Sequence, residues 1–492
     1  MLPQRALLLA CALFALAPFG GAQEGSQARP NLLLLFADDQ RTDTIGAWGN
    51  PAIDTPHLDR LVAEGVSFHR AYCLGSSGGA VCVPSRAMLH TGRPYFGLST
   101  NTFDGHPTLG GLLGEAGYTT FASGKWHNGR ETLARSFQSG RNLYLGGMAD
   151  HFAVRVEDLH QGEFSEASTG AKHSTDLFAD AAIDFLQGYE GEQPWFVYVA
   201  FTAPHDPRDP PAEWLEHYAE RLPPLPANFL PQHPWDIGMM AVRDEVLAGW
   251  PREPQVVREQ LAEYYGLISH MDARIGDVLA AVEARGELDN TLVVFAADHG
   301  LALGSHGLLG KQSVYEHSLR APLIARGPGV PAGQSTSALV YLLDIMPSLL
   351  VAGGVSVPEG LLGEDLGPLW RGERGQLRRS QFLSMGNTQR AVTDGRWKLI
   401  RYPRIDRLRL FDLASDPHEM FDLAQRPEQA QRVARLRTEL ESWQARLGDD
   451  LPWTSDNVQA AEIDLSGRAR NPDRWQPDWI VDKYFEQNEE GE

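Results

Sequence analysis

Four runs of apolar residues punctuate the first part of the chain, and in each run the apolar positions are continuous instead of alternating with polar ones. Continuous hydrophobicity over so short a stretch is typical of strands buried on both faces, as in a parallel sheet covered by helices. The pattern therefore predicts four buried strands, at residues 31–37, 119–123, 195–202 and 291–297.

The stretches between these runs show helical periodicity. Residues 256–285 place apolar side chains such as Leu261 and Leu267 at helical spacing, which predicts a long amphipathic helix. A second helix is predicted at 175–187, with Ser174 as its N-cap. Alternating strands and helices predict an α/β fold with a large, doubly wound, mostly parallel sheet flanked by helices.

The pattern changes after about residue 360. Short β-like runs at 389–393, 397–402 and 408–413 are separated by turn-forming residues, which predicts an antiparallel sheet. A long amphipathic helix follows at 427–447. These elements predict a smaller C-terminal α+β subdomain, and the polar tail from residue 451 is expected to pack along the surface.

Composition narrows the classes of partner. The chain has 492 residues, 42% of them hydrophobic, which is enough for a substantial core. Its formal net charge of −21 argues against a nucleic-acid partner, because nucleic acids bind a broad basic surface. A small anionic substrate is not excluded, since a local cluster of metal and basic side chains can dominate one pocket.

The N-terminus is typical of an export signal. Arg5 precedes an apolar stretch at 6–17, and small residues at 20–22 suit cleavage by a signal peptidase. A lipoprotein signal cut before Cys11 is the alternative, although it would leave almost no apolar core. No later segment is long and apolar enough for a transmembrane helix, so we predict an exported, periplasmic or extracellular protein. The predicted divisions are a signal peptide at 1–22, a catalytic α/β domain at 23–360, and the C-terminal subdomain with its tail at 361–492.

Cys73 and Cys82 are the cysteines of the predicted mature chain. Two cysteines make no disulfide framework, so they form either one short-loop bridge or no bridge at all. On the second interpretation Cys82 is chemically special and Cys73 is a small buried residue. The residues around Cys82, described below, decide between the two interpretations.

Polar residues end each of the four apolar runs. The carboxyl ends of parallel strands meet at one edge of a sheet, where ligands bind. Each group alone could be a turn or a helix cap, but four groups at one edge indicate a functional site. The residues are Asp38 and Asp39, then Lys125 and His127, then His205, then Asp298 and His299.

The acidic members predict a metal site. Asp38, Asp39 and Asp298 supply three carboxylates, which select a hard divalent cation such as Ca²⁺, Mg²⁺ or Mn²⁺ ahead of Zn²⁺. His299 adds an imidazole, which also suits Mn²⁺ or Zn²⁺.

Residues 80–93, AVCVPSRAMLHTGR, contain Cys-x-Pro-Ser-Arg followed by x-x-Leu-x-Thr-Gly. With Gly-Lys-Trp-His at 124–127 and Asp-His-Gly at 298–300, the chain closely resembles the sulfatase family, of the formylglycine-dependent type within the alkaline-phosphatase-like superfamily. The resemblance runs from residue 31 to residue 413, nearly the whole predicted mature chain. It implies that Cys82 is oxidised to formylglycine by a maturation enzyme during export. A bridge between Cys73 and Cys82 is therefore not expected, because it would consume the thiol that maturation needs.

The resemblance also implies a role for each matching residue. Calcium is the expected metal, ahead of Mn²⁺ or Mg²⁺, although the family often has Asn where this chain has His299. His306, His317 and Arg320 lie near the motifs and are expected to be structural. By position, the resemblance assigns the metal to Asp38, Asp39, Asp298, His299 and the modified Cys82. Arg86 is expected to steady the nucleophile, and Lys125 and Lys311 to clamp the sulfate. His127 is expected to be the base and His205 the general acid, with help from Lys311.

The expected function is hydrolysis of a sulfate monoester on a small molecule or, by default for an exported member, on a carbohydrate. A formylglycine-dependent phosphonate monoester or phosphodiester hydrolase is one alternative. A non-catalytic protein that binds sulfated glycans on the same scaffold is another, but it would be expected to lack Cys82, Lys125 or His205. The sequence does not name the substrate; residues 140–158 and 401–409 either line a subsite or pack on the surface.

Overall fold

The computed structural model describes residues 29–485. The predicted signal peptide at 1–22 and Cys11 lie outside the described residues. Among residues 29–485, none of the helices is long and apolar enough to cross a membrane.

Three sheets contain the strands of the described region. The strands are β1 (Asn31–Ala37), β2 (Val66–Phe68), β3 (Ala71–Tyr72), β4 (Gly75–Ser76), β5 (Thr119–Lys125), β6 (Ser139–Tyr144), β7 (Arg155–His160), β8 (Glu163–Phe164), β9 (Ser168–Thr169), β10 (Trp195–Ala200), β11 (Thr291–Ala297), β12 (Arg320–Ala321), β13 (Leu323–Arg326), β14 (Gln334–Thr336), β15 (Val340–Tyr341), β16 (Gln381–Met385), β17 (Gln389–Thr393), β18 (Trp397–Tyr402) and β19 (Arg407–Asp412).

Helices connect and cover these strands. They are α1 (Pro56–Glu64), α2 (Cys82–Thr91), α3 (Leu109–Glu115), α4 (Arg130–Ser136), α5 (Ser174–Gly188), α6 (Ala212–Ala219), α7 (Pro254–Ala284), α8 (Glu316–Leu319), α9 (Ile345–Ala352), α10 (Gly367–Trp370), α11 (Ala430–Leu447) and α12 (Asp478–Tyr484).

The largest sheet is mixed: its centre is parallel, most of its outer strands pair antiparallel, and the edge strand β14 pairs in parallel with β2. Its spatial order is β14-β2-β13-β11-β1-β10-β5-β6-β7-β8, and the central strands from β11 to β6 are parallel. Every residue of β1, β10 and β11 is buried, as their continuous apolar sequences predict. The predicted α/β architecture is therefore confirmed, as a mixed sheet whose five central strands are parallel.

The register brings the carboxyl ends of four strands to one edge. Ala37 at the end of β1 pairs with Ala297 at the end of β11, and Phe36 pairs with Ala200 at the end of β10. Ala200 in turn pairs with Gly124 of β5. The polar residues that follow these strands consequently lie beside one another.

The C-terminal sheet has the order β19-β18-β17-β16-β4, and α11 packs against β17 and β18. Strands β16 to β19 are antiparallel, as the sequence predicts, whereas β4 joins β16 in parallel from the early part of the chain. The predicted division at residue 360 remains a prediction, and β4 ties its two sides into one sheet.

Two strand ends and one helix cap near the site differ from the sequence prediction. β5 continues to Lys125, so this residue ends the strand instead of following it, and β10 stops at Ala200. His173, not Ser174, is the N-cap of α5, because its imidazole accepts a hydrogen bond from the Thr175 amide at 3.2 Å. Ser174 is the first helical residue.

Candidate active site and metal centre

The ends of β1 and β11 place two acidic pairs side by side. The Asp298 amide donates to the Ala37 carbonyl at 3.2 Å, and the Asp39 amide donates to Asp298 Oδ1 at 2.9 Å. Asp38, Asp39, Asp298 and His299 are all almost completely buried. The parallel register therefore converts two distant segments into one acidic cluster.

Helix α2 brings Cys82 to this cluster from the side. Cys82 is its first residue, and Ser85 fixes the helix to β11 by donating its hydroxyl hydrogen to the Asp298 carbonyl at 2.7 Å. Arg86, one turn from Cys82, donates to the Lys125 carbonyl at 2.8 Å. Its guanidinium lies 3.6 Å from Asp38 and so helps to neutralise the acidic cluster.

Four residues can supply ligands to one metal ion. Single ligand atoms of Asp38, Cys82, Asp298 and His299 all lie within 4.8 Å of one another. Asp38 Oδ1, Asp298 Oδ2 and His299 Nε2 are buried without a hydrogen-bond partner among residues 29–485. His299 Nδ1 donates to the Gly300 carbonyl at 3.0 Å, which leaves Nε2 facing the carboxylates as a ligand. The two carboxylates and the imidazole of this set suit a divalent cation.

Asp39, the fifth predicted ligand, lies next to these four residues. One of its oxygens lies 3.3 Å from His299 Nε2, and both oxygens accept hydrogen bonds from Lys311 Nζ at 2.8–2.9 Å. Asp39 and His299 thus face the same centre from the carboxyl ends of two neighbouring strands.

The carboxylates and cations of the cluster shift one another's pKa. Burial raises the pKa of Asp298, and the neighbouring Asp38 raises it further. Burial acts in the same direction on Asp38, but Lys125 and Arg86 outweigh it and hold the pKa of Asp38 well below its usual range. A divalent cation between the two carboxylates would relieve their repulsion, which agrees with their unpartnered oxygens.

Cys82 sits among basic groups. Its Sγ is 3.4 Å from His127 Nδ1 and 3.8 Å from Lys125 Nζ. Burial alone would raise the pKa of the thiol, but Lys125, His127 and Lys311 together hold it well below its usual value. The site stabilises negative charge at residue 82. Cys73 and Cys82 are both free, as predicted.

A cavity of about 310 Å³ opens beside Cys82. His205 Nδ1 donates to the carbonyl oxygen of Asp206 at 2.7 Å, which directs Nε2 towards Asp39, 3.8 Å away. The imidazole therefore presents one nitrogen to the site. The cavity is lined by Gly79, Ala80, Cys82, His127, Gly147, Met148, His205, Val242, Arg243, Asp244, Lys311 and Gln312.

Gly147 explains how His127 fits at this cavity. A Cβ at position 147 would lie 2.5 Å from two atoms of the His127 ring. The Gly147 carbonyl also accepts a hydrogen bond from Lys125 Nζ at 2.5 Å. Of the predicted subsite at 140–158, Gly147 and Met148 thus reach the cavity, whereas Arg409 of the segment 401–409 stacks on Trp235.

Comparison with known proteins identifies the family. The sulfatase family model matches residues 30–355, well over half of the chain. The chain belongs to the sulfatase family. A second model, N-sulphoglucosamine sulphohydrolase, C-terminal, matches residues 304–446. The resemblance stated from the sequence is confirmed, and the enzyme class is that of the sulfuric ester hydrolases.

This sulfatase is similar to characterised relatives from bacteria and mammals. The N-acetylglucosamine-6-O-sulfatase of Bacteroides thetaiotaomicron is 27% identical, with 92% of this chain and 93% of the relative covered. The N-acetylgalactosamine-6-sulfatase of Mus musculus is 30% identical, covering 78% of this chain and 74% of the relative.

Two solved structures place the fold of this sulfatase. One is a complex of a protein with its substrate, D-glucosamine-2-N,6-O-disulfate; its TM-score is 0.74 at 25% identity, covering 87% of this chain and 100% of the other. The phosphonate monoester hydrolase of Silicibacter pomeroyi has a TM-score of 0.68 at 23% identity, covering 86% and 96%. The second likeness shows the fold alone, so architecture does not separate sulfate from phosphonate hydrolysis.

Sequence reasoning missed the residues that form the rim of this sulfatase's cavity. Arg243 forms ion pairs with the buried Asp206 and with Asp244, the latter at 2.7 Å. Asp244 also accepts a hydrogen bond from Gln312 at 2.7 Å. Residues 242–244 carry no motif, and only Asp206, beside His205, had a local signal in the sequence. His306 stacks on Tyr315, in keeping with the structural role expected for it.

Proposed function

We propose that this sulfatase hydrolyses a sulfate monoester on a carbohydrate, using a formylglycine made from Cys82 and one divalent cation. The observation that best supports this proposal is that Cys82, Asp38, Asp298 and His299 converge on one buried point beside a cavity. A cysteine among hard oxygen ligands is a poor thiolate site for soft metals, whereas an oxygen-bearing derivative of Cys82 would match the carboxylates.

Asp38, Asp39, Asp298, His299 and the derivative of Cys82 would hold the cation, with Ca²⁺ ahead of Mn²⁺ or Mg²⁺. When both groups are present, the formylglycine hydrate supplies the attacking hydroxyl and the cation offsets the charge of the sulfate. The orphaned oxygens of Asp38 and Asp298 support this assignment.

Basic side chains of the chain itself bind the anionic ester. Lys125 lies 3.8 Å from Cys82 Sγ, and Lys311 lines the cavity while bound to Asp39. Two ammonium groups flanking the reacting position attract and orient the sulfate oxygens. We assign Arg86, whose guanidinium donates to the Lys125 carbonyl, to steady the group at position 82.

Two histidines have separate proton-transfer tasks. His127 Nδ1, 3.4 Å from Cys82 Sγ, is close enough to take a proton from the group at position 82. His205 lines the cavity, and its Nε2 faces the site because Nδ1 is bound to the Asp206 carbonyl. We assign His205 to donate a proton to the departing alcohol, with Lys311 as the alternative donor.

An amino sugar sulfated at position 6 is the substrate that we propose. The support is the printed specificity of two relatives, N-acetylglucosamine-6-O-sulfatase and N-acetylgalactosamine-6-sulfatase, and the 6-O-sulfated ligand of the similar structure. The cavity has the size of a small-molecule site, and Arg243, Asp244 and Gln312 offer polar groups to sugar hydroxyls.

We further propose that the protein is exported through the signal at 1–22, to the periplasm or beyond the cell. A formylglycine-generating enzyme would then act on Cys82 during export. The basis for both is the sequence pattern, together with the position of Cys82 at the start of α2.

A substrate panel tests the proposal. The protein, co-expressed with a maturation enzyme, is assayed on N-acetylglucosamine 6-sulfate, an aryl sulfate, an aryl phosphonate and an aryl phosphodiester. We expect the highest kcat/KM on the sulfates, with loss of turnover after chelation and best recovery with Ca²⁺. N-acetylglucosamine 3-sulfate is the matched control for position. Faster hydrolysis of the phosphonate or the phosphodiester would contradict the proposal and favour the alternative hydrolase.

A further inference from the structure

The end of the described chain contacts the loop that carries His205. We call residues 473–484 the strap and residues 205–209 the acid loop. Gln476 Nε2 donates to Asp206 Oδ2 at 3.2 Å, and Trp479 Nε1 donates to Asp209 Oδ1 at 3.0 Å. Gln476 and Asp206 are both nearly buried, so these contacts are shielded from water.

A third contact reaches the rim of the cavity. Arg243 binds the Asp206 carboxylate with both terminal nitrogens, and one of these nitrogens lies 3.3 Å from Asp473 Oδ2. The guanidinium is thus shared between the acid loop and the strap. Because Arg243 lines the cavity, Asp473 acts on a residue that faces the substrate.

The strap is anchored at its far end. Lys483 Nζ lies 3.0 Å from Glu263 Oε1 of α7, and the Tyr484 hydroxyl donates to the same oxygen at 2.5 Å. Glu263 is buried, so the anchor is fixed to the core of the molecule. The strap spans from α7 to the acid loop.

The acid loop is also held by residues outside the strap. His151 Nε2 donates to the His205 carbonyl at 3.0 Å, and Arg208 donates to Gln260 of α7 at 2.7 Å. The carboxylate of Asp206 is the part of the loop that Gln476 and Arg243 hold. Asp206 follows His205 directly and accepts its Nδ1–H at the carbonyl oxygen, so a shift of Asp206 displaces the imidazole.

We infer that the strap supports the leaving-group wall of the active site from outside the cavity, and that Gln476 and Asp473 are positioning residues for His205. The inference rests on the proposed function, in which His205 protonates the departing alcohol. A displacement of about 1 Å in such a group can cost up to 10²-fold in rate. The strap would therefore matter most for substrates whose alcohol needs a proton.

The first test compares Gln476→Leu, which removes the amide donor at similar volume, with the control Asp464→Asn. Asp464 is exposed on the same tail and bonds to Ser466 within its own turn. We expect Gln476→Leu to lower kcat on a sugar sulfate roughly 10-fold and to leave KM and the rate on an aryl sulfate within about twofold. Asp464→Asn should match the wild type on both substrates.

Two further variants keep the shape of the strap. Gln476→Glu places a second carboxylate beside Asp206 and should reduce kcat on the sugar sulfate more than Gln476→Leu does. Asp473→Asn keeps its size but weakens the hold on Arg243, so a selective loss is expected there as well. Thermal unfolding is measured for each variant, because a folded protein is required for the comparison.

A double-mutant cycle with His205→Ala decides whether the effect passes through His205. In that background Gln476→Leu should cause no further loss on the sugar sulfate. Equal losses on both substrates, or an undiminished effect without His205, would overturn the inference while leaving the proposed function intact. A wild-type enzyme that hydrolyses no sulfate ester would instead remove the proposed function itself.

Discussion

At the scale of the residue, Cys82 is the position on which the chemistry depends. Cys82→Ala should abolish turnover of every sulfate ester, because alanine can form neither a thiol nor an aldehyde. Peptide mass spectrometry of the active enzyme should show a loss of about 18 Da at residue 82, the change from thiol to aldehyde. The control is Cys73→Ala, which removes the other free cysteine of residues 29–485 and should keep activity. Full activity in Cys82→Ala would end the proposal.

Substitutions of the two histidines that line the cavity should differ in how their effect depends on the leaving group of the substrate. His205→Ala should lower the rate on a sugar sulfate by about 10²–10⁴-fold and spare an aryl sulfate, because a phenolate departs without a proton. His127→Ala should slow both substrates alike, since its contact is with residue 82 and not with the alcohol. Steady-state kinetics on the two substrates give the ratio. Equal losses for His205→Ala would move the acid role to Lys311.

The residues that could be predicted are those with a local pattern. Cys82 and Arg86 belong to one compact motif, and Asp38, Asp39 and Asp298 each follow a readable strand. Arg243 and Gln476 could not be predicted, because they meet Asp206 from 37 and 270 residues away and no motif surrounds them. The need for glycine at position 147 could not be predicted either, because it arises only from the closeness of the His127 ring in the folded protein.

At the scale of the element, the close pairing of β5 with β10 fixes where Lys125 and His127 lie at the edge of the sheet. Gly124 has φ of +90°, and a Cβ there would lie 1.9 Å from the Ala200 carbonyl oxygen. Gly124→Ala should therefore destabilise the protein by about 3 kcal/mol or more and reduce activity, as both backbone strain and a clash oppose it. Chemical unfolding measures the first effect and turnover the second.

The control for this substitution is Gly188→Ala at the end of α5. A Cβ at Gly188 meets no atom of the described residues within 4 Å, and alanine favours helix more than glycine does. This variant should unfold at or slightly above the wild-type midpoint. Wild-type stability for Gly124→Ala would show that β5 can move away from β10, contrary to the tight register of the sheet.

The elements with continuous or periodic patterns were predicted close to their true limits. The run 31–37 is β1 and the run 291–297 is β11, because a strand buried on both faces tolerates few polar residues. Short edge strands such as β8 and β12 were not predicted, since two residues carry no periodicity. The cap of α5 differs because its geometry depends on the ring of His173, which the local sequence does not reveal.

At the scale of the whole molecule, the C-terminal sheet is joined to the catalytic part by more than the chain. Strand β4 extends it, and β4 lies a few residues before Cys82. A buried ion cluster forms a second link: Lys398 of β18 is 2.9 Å from Glu316 of α8 and 2.9 Å from Glu419. The subdomain therefore supports the segment that leads into α2, which the sequence division at residue 360 did not anticipate.

Lys398→Met tests this second link. The substitution keeps the length of the side chain but leaves Glu316 and Glu419 buried without their shared cation. Breaking a buried ion pair from one side costs about 3–5 kcal/mol, because an uncompensated charge stays behind. Burial already raises the pKa of Glu419 to about 6, even though Lys398 lowers it, so removing the lysine should favour the protonated acid further. We expect a lower midpoint in urea unfolding, together with a loss of sulfatase activity at temperatures where the wild type is stable.

The controls for Lys398→Met separate burial from charge. Lys172→Met removes an exposed lysine that pairs with Asp180 at 2.7 Å, and solvent screening should leave its unfolding midpoint unchanged. Adding Glu316→Gln and Glu419→Gln to Lys398→Met should recover part of the lost stability, because neutral amides do not leave a buried charge. If Lys398→Met had the same urea unfolding midpoint as Lys172→Met, the ion cluster would contribute nothing to holding the two parts together. Strand β4 alone would then join the C-terminal sheet to the catalytic core.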